Sequence, residues 1–355
     1  MEEIQLMKPL VLGDMTSRLP VIQGGMGVGV SLSGLAGAVA NAGGIGIIST
    51  AQIGFDDEEF LKNPKESNLR AIKRHIGIAK EQKKDGLVGV NVMVALKDYR
   101  EHVRAAVEAG ADVVISGAGL PVDLPELVAG SNTKIAPIVS SAKAANVILS
   151  MWDRKYKKTA DFVVIEGPKA GGHLGFNEKE LEDIEALDYD MQIKAIIDCV
   201  KTFAKKYNYH IPVIVAGGIF DREDVKHVIG LGADGVQVAT RFVVTEECDA
   251  SEAYKQAYID ARAENVRIIK SPVGMPGRAL NNVFIKKVSQ EKEKITSCLG
   301  CLAHCNPAQV PYCITKALIN AVKGDVDNGL VFCGANVDRI KEMTTVEKLM
   351  KELTV

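Results

Sequence analysis

The feature that most limits what this chain can become is an eightfold recurrence of short apolar runs, each followed by a segment with helical spacing. The runs are Val21–Gly24, Ile45–Ser49, Val88–Val94, Asp112–Gly117, Ile135–Ser140, Phe162–Gly167, Pro212–Gly217 and Val236–Thr240. Their near-continuous Val, Ile and Ala content is that of parallel strands covered on both faces. Between the runs, apolar residues return every three or four positions. In Met191–Tyr207, Ile193, Ile196, Ile197, Val200 and Phe203 share a face that Lys194, Lys201 and Lys205 avoid. Asp221, before Arg-Glu-Asp-Val-Lys, predicts a helix cap after the seventh run. A doubly wound open sheet uses the same local pattern, but eight consecutive βα units favour an α/β fold of the TIM (β/α)₈ barrel type.

The barrel is expected over residues 1–265. Past Val266 the alternation stops, and residues 266–355 carry Ser-Pro-Val-Gly-Met-Pro-Gly-Arg278, a charged run near Gln290–Lys294, a cysteine cluster and a closing helix near Val346–Leu353. This part is expected to be a lid packed on the barrel. With 47% hydrophobic and 25% charged residues the chain can bury one large core, and its net charge of −2 offers no basic surplus for nucleic acid. Leu19 to Phe55 holds no charged residue, long enough to raise a membrane helix. Its ten glycines and short apolar blocks fit a buried strand–helix–strand unit better. The start, Met1-Glu-Glu-Ile, lacks the basic and apolar parts of a signal peptide. A soluble, cytoplasmic protein is expected, its seven cysteines reduced or metal-bound.

In such a barrel, chemistry sits at the C-terminal ends of the strands, and phosphate often binds the loops after strands seven and eight. Those loops carry Ala216-Gly217-Gly218 and Ala239-Thr240. The sixth run ends in Glu166-Gly-Pro-Lys-Ala-Gly-Gly-His-Leu-Gly175, which sets His173 behind Gly171 and Gly172. Glycines let backbone amides approach a ligand, and histidine moves protons near neutral pH. Gly24-Gly25-Met26-Gly27-Val28-Gly29 fails the G-x-G-x-x-G spacing, because Leu32 stands where a third glycine belongs. Small residues there suit either a flat aromatic cofactor or tight helix–strand packing. Asn91 and Gln237 interrupt apolar strands, and an amide buried without partners is costly, so each should bond a ligand or a neighbouring strand. Lys169 follows Pro168 in a loop, which argues against a Schiff-base lysine. His75, His102, His210, His227 and His304 lie mostly among charged residues and are expected to be solvated. Cys298-x₂-Cys301-x₃-Cys305-x₇-Cys313 brings four thiols close in sequence, which fits an iron–sulfur cluster, zinc or reduced structural cysteines.

Val21-Ile-Gln-Gly-Gly-Met-Gly27, Gly89-Val-Asn-Val-Met93, Ile115-Ser-Gly-Ala-Gly119, Ala170-Gly-Gly-His-Leu-Gly175, Val215-Ala-Gly-Gly-Ile219 and Gln237-Val-Ala-Thr-Arg-Phe242 resemble, in order and spacing, the nitronate monooxygenase family. That family, formerly called 2-nitropropane dioxygenase, includes flavin-dependent enoyl-acyl-carrier-protein reductases of bacteria. The resemblance implies non-covalent FMN, with its phosphate at Gly217, Gly218 and Thr240 and its ring near Gly24, Gly25, Met26 and Asn91. Gln237 would face the cofactor, with Gly171, Gly172, Ala216 and Ala239 among its contacts, and His173 matches the active-site histidine. Two departures stand out. Pro168-Lys169 replaces an acidic residue common in relatives, and the cysteine-rich tail leaves a second redox centre open.

The implied activity is oxidation of alkyl nitronates with O₂, or NAD(P)H:flavin oxidoreduction. Reduction of an enoyl thioester by NAD(P)H is a second expectation. A non-redox isomerase or aldolase using the phosphate cradle is a third, and a flavin-binding regulator without turnover a fourth. The expected partner is a small molecule, and a homodimer is left open.

Overall fold

The computed structural model describes residues 7–355. It opens with a hairpin, β1 (Leu10–Leu12) and β2 (Met15–Ser17), followed by the strands β3 (Val21–Gln23), β4 (Ile45–Ser49), β5 (Leu87–Met93), β6 (Val113–Gly117), β7 (Lys134–Val139) and β8 (Val163–Glu166). After the short strand β9 (Gly172–His173) come β10 (Val213–Ala216) and β11 (Gly235–Val238). Strands β3 to β8, β10 and β11 pair in parallel and close into a barrel, the last strand meeting the first through Gln237 opposite Ile22 and Val238 opposite Gln23. The chain therefore has the TIM-barrel fold, and each of the eight predicted runs supplies one of its strands.

The outer layer comprises α1 (Ser33–Asn41), α2 (Pro64–Gln82), α3 (Tyr99–Glu108), α4 (Leu124–Leu127), α5 (Ala142–Tyr156), α6 (Glu178–Glu182), α7 (Tyr189–Tyr207), α8 (Arg222–Gly230), α9 (Thr240–Val243) and α10 (Glu252–Ile259). Helix α7 buries Ile193, Ile196, Ile197, Val200 and Phe203, the face its periodicity predicts. Asp221 caps α8 by accepting from the amides of Glu223 and Asp224. The uncharged stretch Leu19–Phe55 forms β3, α1 and β4, and no helix among the described residues is long and apolar enough to cross a membrane.

The strand period of two sorts side chains between two apolar clusters. Ile22, Ile45, Ile47, Val113, Ile115, Phe162, Val164 and Ile214 fill the barrel interior, while Val21, Ile48, Val88, Val90, Val92, Val163, Val236 and Val238 pack outward under the helices. Each fully buried side chain of this size contributes about 1.5–3 kcal/mol. Hairpin β1–β2, which the sequence reading did not foresee, sends Leu10 and Leu12 into the interior cluster as a plug.

The remainder adds β12 (Val266–Lys270), β13 (Pro276–Leu280), α11 (Val283–Gln290), α12 (Ile314–Val322) and α13 (Val346–Thr354). Strands β12 and β13 form an antiparallel hairpin, and β13 pairs on its other edge with β9, setting Gly277 opposite His173. Phe284, Ile285, Leu302, Tyr312, Ile314 and Leu330 make a separate small core there. Helix α13 lies against α1 and α8, burying Leu349, Met350 and Leu353 in the main core.

Candidate active site

Strand parity fixes which side chains reach the barrel mouth. On β5, Val88, Val90 and Val92 face the helices, so Asn91 faces inward; on β11, Val236 and Val238 do the same and turn Gln237 inward. Glu166 follows inward-facing Val164 by two residues, and Ala216 follows Ile214 likewise. Register sets Ala216 level with Glu166 on one side and Gln237 on the other. A cavity of about 230 Å³ opens at this level. Its lining includes all the residues predicted to hold a cofactor: Gly24, Gly25, Met26, Asn91, Gly171, Gly172, Ala216, Gly217, Gly218, Gln237, Ala239 and Thr240, with His173 beside them.

Three amide side chains in strands behave differently. Gln23 bonds Gly24 O, Ile47 O and Ile47 N, so it ties two strands together. The carboxamides of Asn91 and Gln237 have no hydrogen-bond partner among the described residues and line the cavity. Their donors and acceptors fit the polar edge of a flat ligand. Gly25 earns its place beside Asn91, since a Cβ there would come within 2.5 Å of the Asn91 Cβ. Gly171 is small for another reason: a Cβ would strike the backbone of Cys333.

The anion end is built from backbone. Gly217 has φ +83, and a Cβ on it would lie 2.6 Å from the Gly167 backbone, so only glycine fits. The amides of Gly217 and Gly218 have no partner among the described residues. Thr240 begins α9 with its hydroxyl accepting from Gly334 N at 3.0 Å, and Asn336 Nδ2 donates to Gly218 O at 2.9 Å. Free amides beside a hydroxyl suit a phosphate.

His173 is held by residues of the C-terminal segment. Its Nε2 lies 2.8 Å from Ser271 Oγ, and its ring meets Phe332 edge-on at 5.0 Å between centroids. Burial lowers its pKa to about 4, leaving a neutral imidazole at pH 7. Arg278, from β13, donates to the carbonyls of Pro168 and Ala170 and fixes the loop leading to the histidine. Glu166 is enclosed by protein except toward the cavity, and burial raises its pKa to about 8, so it is largely protonated at pH 7. Lys169 lines the cavity but pairs its Nζ with Glu185 at 3.0 Å.

Two histidine expectations are corrected. His75 is buried with Nδ1 2.9 Å from Ser33 Oγ, and His102 is buried with Nδ1 unpartnered; burial takes both pKa values down to about 4. Both occupy inward helix faces, His75 among Ala71, Ile72 and Ala79, and His102 among Tyr99, Val103 and Ala106. His210 and His227 are exposed and paired with Asp234 and Asp190. The sequence reading gave no role to Ser271, Phe332, Cys333, Gly334 or Asn336, which come to the mouth from the C-terminal segment. Cys298, Cys301, Cys305 and Cys313 lie outside the cavity lining, and among the described residues no group of three or more His, Cys, Asp or Glu is placed to hold a metal ion.

Known proteins are similar to this chain in sequence and fold. A probable nitronate monooxygenase of Staphylococcus aureus (strain Newman) is 27% identical over 298 residues, covering 76% of this chain and 78% of its own length. The solved structure of FabK from Thermotoga maritima superposes with a TM-score of 0.71 at 26% identity, covering 94% of this chain and 91% of that one. Nitroalkane oxidase from Streptomyces ansochromogenes gives 0.70 over 94% of each chain, its 21% identity speaking to fold alone. The nitronate monooxygenase family model matches residues 9–355. A barrel mouth with two unpartnered carboxamides, a backbone anion cradle and a neutral histidine thus goes with sequence likeness along nearly the whole chain, which belongs to the nitronate monooxygenase family of flavin-dependent oxidoreductases.

Proposed function

We propose that this enzyme uses FMN to oxidise alkyl nitronates with molecular oxygen, and that it also takes neutral nitroalkanes by deprotonating them at His173. The observation that carries this reading is the place of His173 in the same cavity lining as Asn91 and Gln237, with its Nε2 2.8 Å from Ser271 Oγ. A neutral imidazole accepts a proton from an acidic carbon. With Nε2 shared with Ser271, Nδ1 is the nitrogen left for the substrate. When bound, the flavin supplies the electron transfer. Asn91 and Gln237 would hold its ring by hydrogen bonds, and Gly217, Gly218 and Thr240 its phosphate. Met275, Leu318 and Phe332 line the same cavity and would keep water from the substrate. NAD(P)H would have to enter by this mouth too, giving ping-pong kinetics.

A second reading, reduction of an enoyl thioester by NAD(P)H, draws support from the likeness to FabK. That chemistry asks the same histidine to deliver a proton to carbon instead of taking one from it. Anaerobic mixing of the flavin-loaded protein with propyl-2-nitronate, NADH, NADPH and crotonyl thioester in turn separates the two. Bleaching of the flavin by the nitronate, with colour restored by air, is the expected result. Turnover of the crotonyl thioester with NAD(P)H and no response to nitronate would favour the second reading.

A further inference from the structure

The three buried histidines are not alike. His75 and His173 each meet a serine hydroxyl, whereas neither ring nitrogen of His102 has a hydrogen-bond partner among the described residues. His102 is only 2% exposed, and buried polar groups are nearly always paired, so an orphan of this kind asks for a partner. Its ring lines a groove of about 350 Å³ that is distinct from the flavin cavity. The groove is cut by the loops that follow β4 and β5. Gln52 comes directly after Ala51 and Leu96 three residues after Met93, and Ala51 and Met93 line the flavin cavity, so both hollows open at the same end of the barrel. Residues 299–301 close the groove on its outer side, held by Lys97 N donating to Cys301 O at 3.1 Å.

Donors and positive charge gather in this groove. Helices α2 and α3 both begin at it, through Asn63 and Lys65 on one and Asp98 on the other. Neither Asn63 nor Asp98 makes a side-chain cap bond, and the first-turn amides of Lys65 and Glu66 have no partner. Such helix starts carry partial positive charge and receive anions. Gln52, 5% exposed, accepts from Asn68 Nδ2 at 3.5 Å through its Oε1, which leaves its Nε2 without a partner among the described residues. Lys62 and Lys97 line the groove with no charged partner among the described residues. Lys65 is engaged by Glu101 at 2.6 Å and by Asp98 at 3.7 Å. The acids of the lining are Glu66 and Asp98, and Lys65 answers the second. A neutral imidazole keeps one N–H to donate, so His102 adds to this set without a charge of its own.

We infer that this groove binds the phosphate group of a phosphate ester, its oxygens taken by His102, Gln52, the first-turn amides of α2 and the ammonium groups of Lys62 and Lys97. The donors come from a helix start, two buried side chains and two lysines, more than the two oxygens of a carboxylate can use. A phosphate presents three strong acceptor oxygens and the charge to match both lysines. The site stands whatever substrate the flavin cavity takes. Its ligand could be the diphosphate of a nicotinamide dinucleotide, that of a coenzyme A thioester, or free phosphate, which share this chemistry and differ in what is attached to it.

The test reads His102 itself. Full-length protein carrying isotope-labelled histidine is loaded with FMN, so that the cradle at Gly217 and Gly218 is filled, and titrated at constant ionic strength with inorganic phosphate, ADP and coenzyme A. Nuclear magnetic resonance follows the imidazole signals, assigned with His102→Gln, and calorimetry gives the affinity. A saturable shift of the His102 signal is expected, with affinity falling about tenfold in His102→Gln and severalfold in Lys62→Ala and Lys97→Ala, flavin content retained. Lys341→Ala, outside this groove, should leave it unchanged. Tightest binding by ADP marks a dinucleotide, by coenzyme A an acyl thioester, and equal binding by all three the free anion. Lys62 and Lys97 are exposed, so their variants carry the test if His102→Gln does not fold. A chain that holds no FMN still reports through the His102 signal, which separates this groove from the cradle. A His102 signal unmoved by about 10 mM of every probe, or affinity equal in the wild type and both lysine variants, would overturn the inference.

Discussion

Two regions meet at His173, and they are built on different principles. The barrel mouth comes from strand ends whose positions follow from period and register, and it supplies Asn91, Glu166, Gly217 and Gln237. The C-terminal segment comes from a hairpin and irregular loops, and it supplies Ser271, Phe332, Gly334 and Asn336. The first region places groups for holding a ligand. The second orients His173, the group proposed to move a proton. Cofactor binding should therefore depend on the barrel, and catalytic competence on the joint between β9 and β13.

The largest effect should fall on that joint. His173→Ala is expected to lower turnover of neutral nitroalkanes by roughly 10²–10⁴-fold, and that of preformed nitronates by less, with bound flavin unchanged. Steady-state rates on both substrate forms check this, and equal losses on both would remove the base role.

Next comes pH. The folded pKa values of His75, His102 and His173, about 4 against an ordinary 6.5, mean that the unfolded chain binds more protons between those values. Stability is thus full above about pH 6.5 and is lost as pH falls toward 4, by up to about 3 kcal/mol for a fully enclosed imidazole such as His102. Glu166 works in the opposite sense: its pKa, raised from 4.5 to about 8, costs stability as pH rises between those values. Thermal melts across pH 4–9 should show the acid loss, and Glu166→Gln should flatten the alkaline side.

On the barrel side, Gly217→Val must place a Cβ against the Gly167 backbone at a positive φ. FMN affinity is expected to fall at least tenfold, about 1.4 kcal/mol or more, by fluorescence titration. Arg278→Met leaves the carbonyls of Pro168 and Ala170 without their donor, costing about 1–3 kcal/mol and a few degrees of Tm. The smallest effect is Ser271→Ala. It should lower turnover a few-fold, leaving FMN affinity alone.

The same contrast explains what the sequence revealed. Eight strands, the α7 face and the α8 cap were legible because each is written within a few residues of itself. The pairing of β9 with β13 was not, since His173 and Gly277 are about a hundred positions apart and neither neighbourhood marks the other. Hairpin β1–β2 is too short to show a period. The burial of His75 and His102 did have a signal, their three-and-four spacing from Ala71, Ala79, Tyr99 and Ala106, which their charged neighbours obscured.

Titration of flavin-free protein with FMN, followed by fluorescence quenching, tests the central assignment most directly. One FMN per chain should bind, weakened in Gln237→Leu and Gly217→Val and unaffected in His173→Ala. Failure of the wild-type chain to bind FMN, or equal binding by the Gly217 and Gln237 variants, would contradict the placement of the cofactor across the barrel mouth.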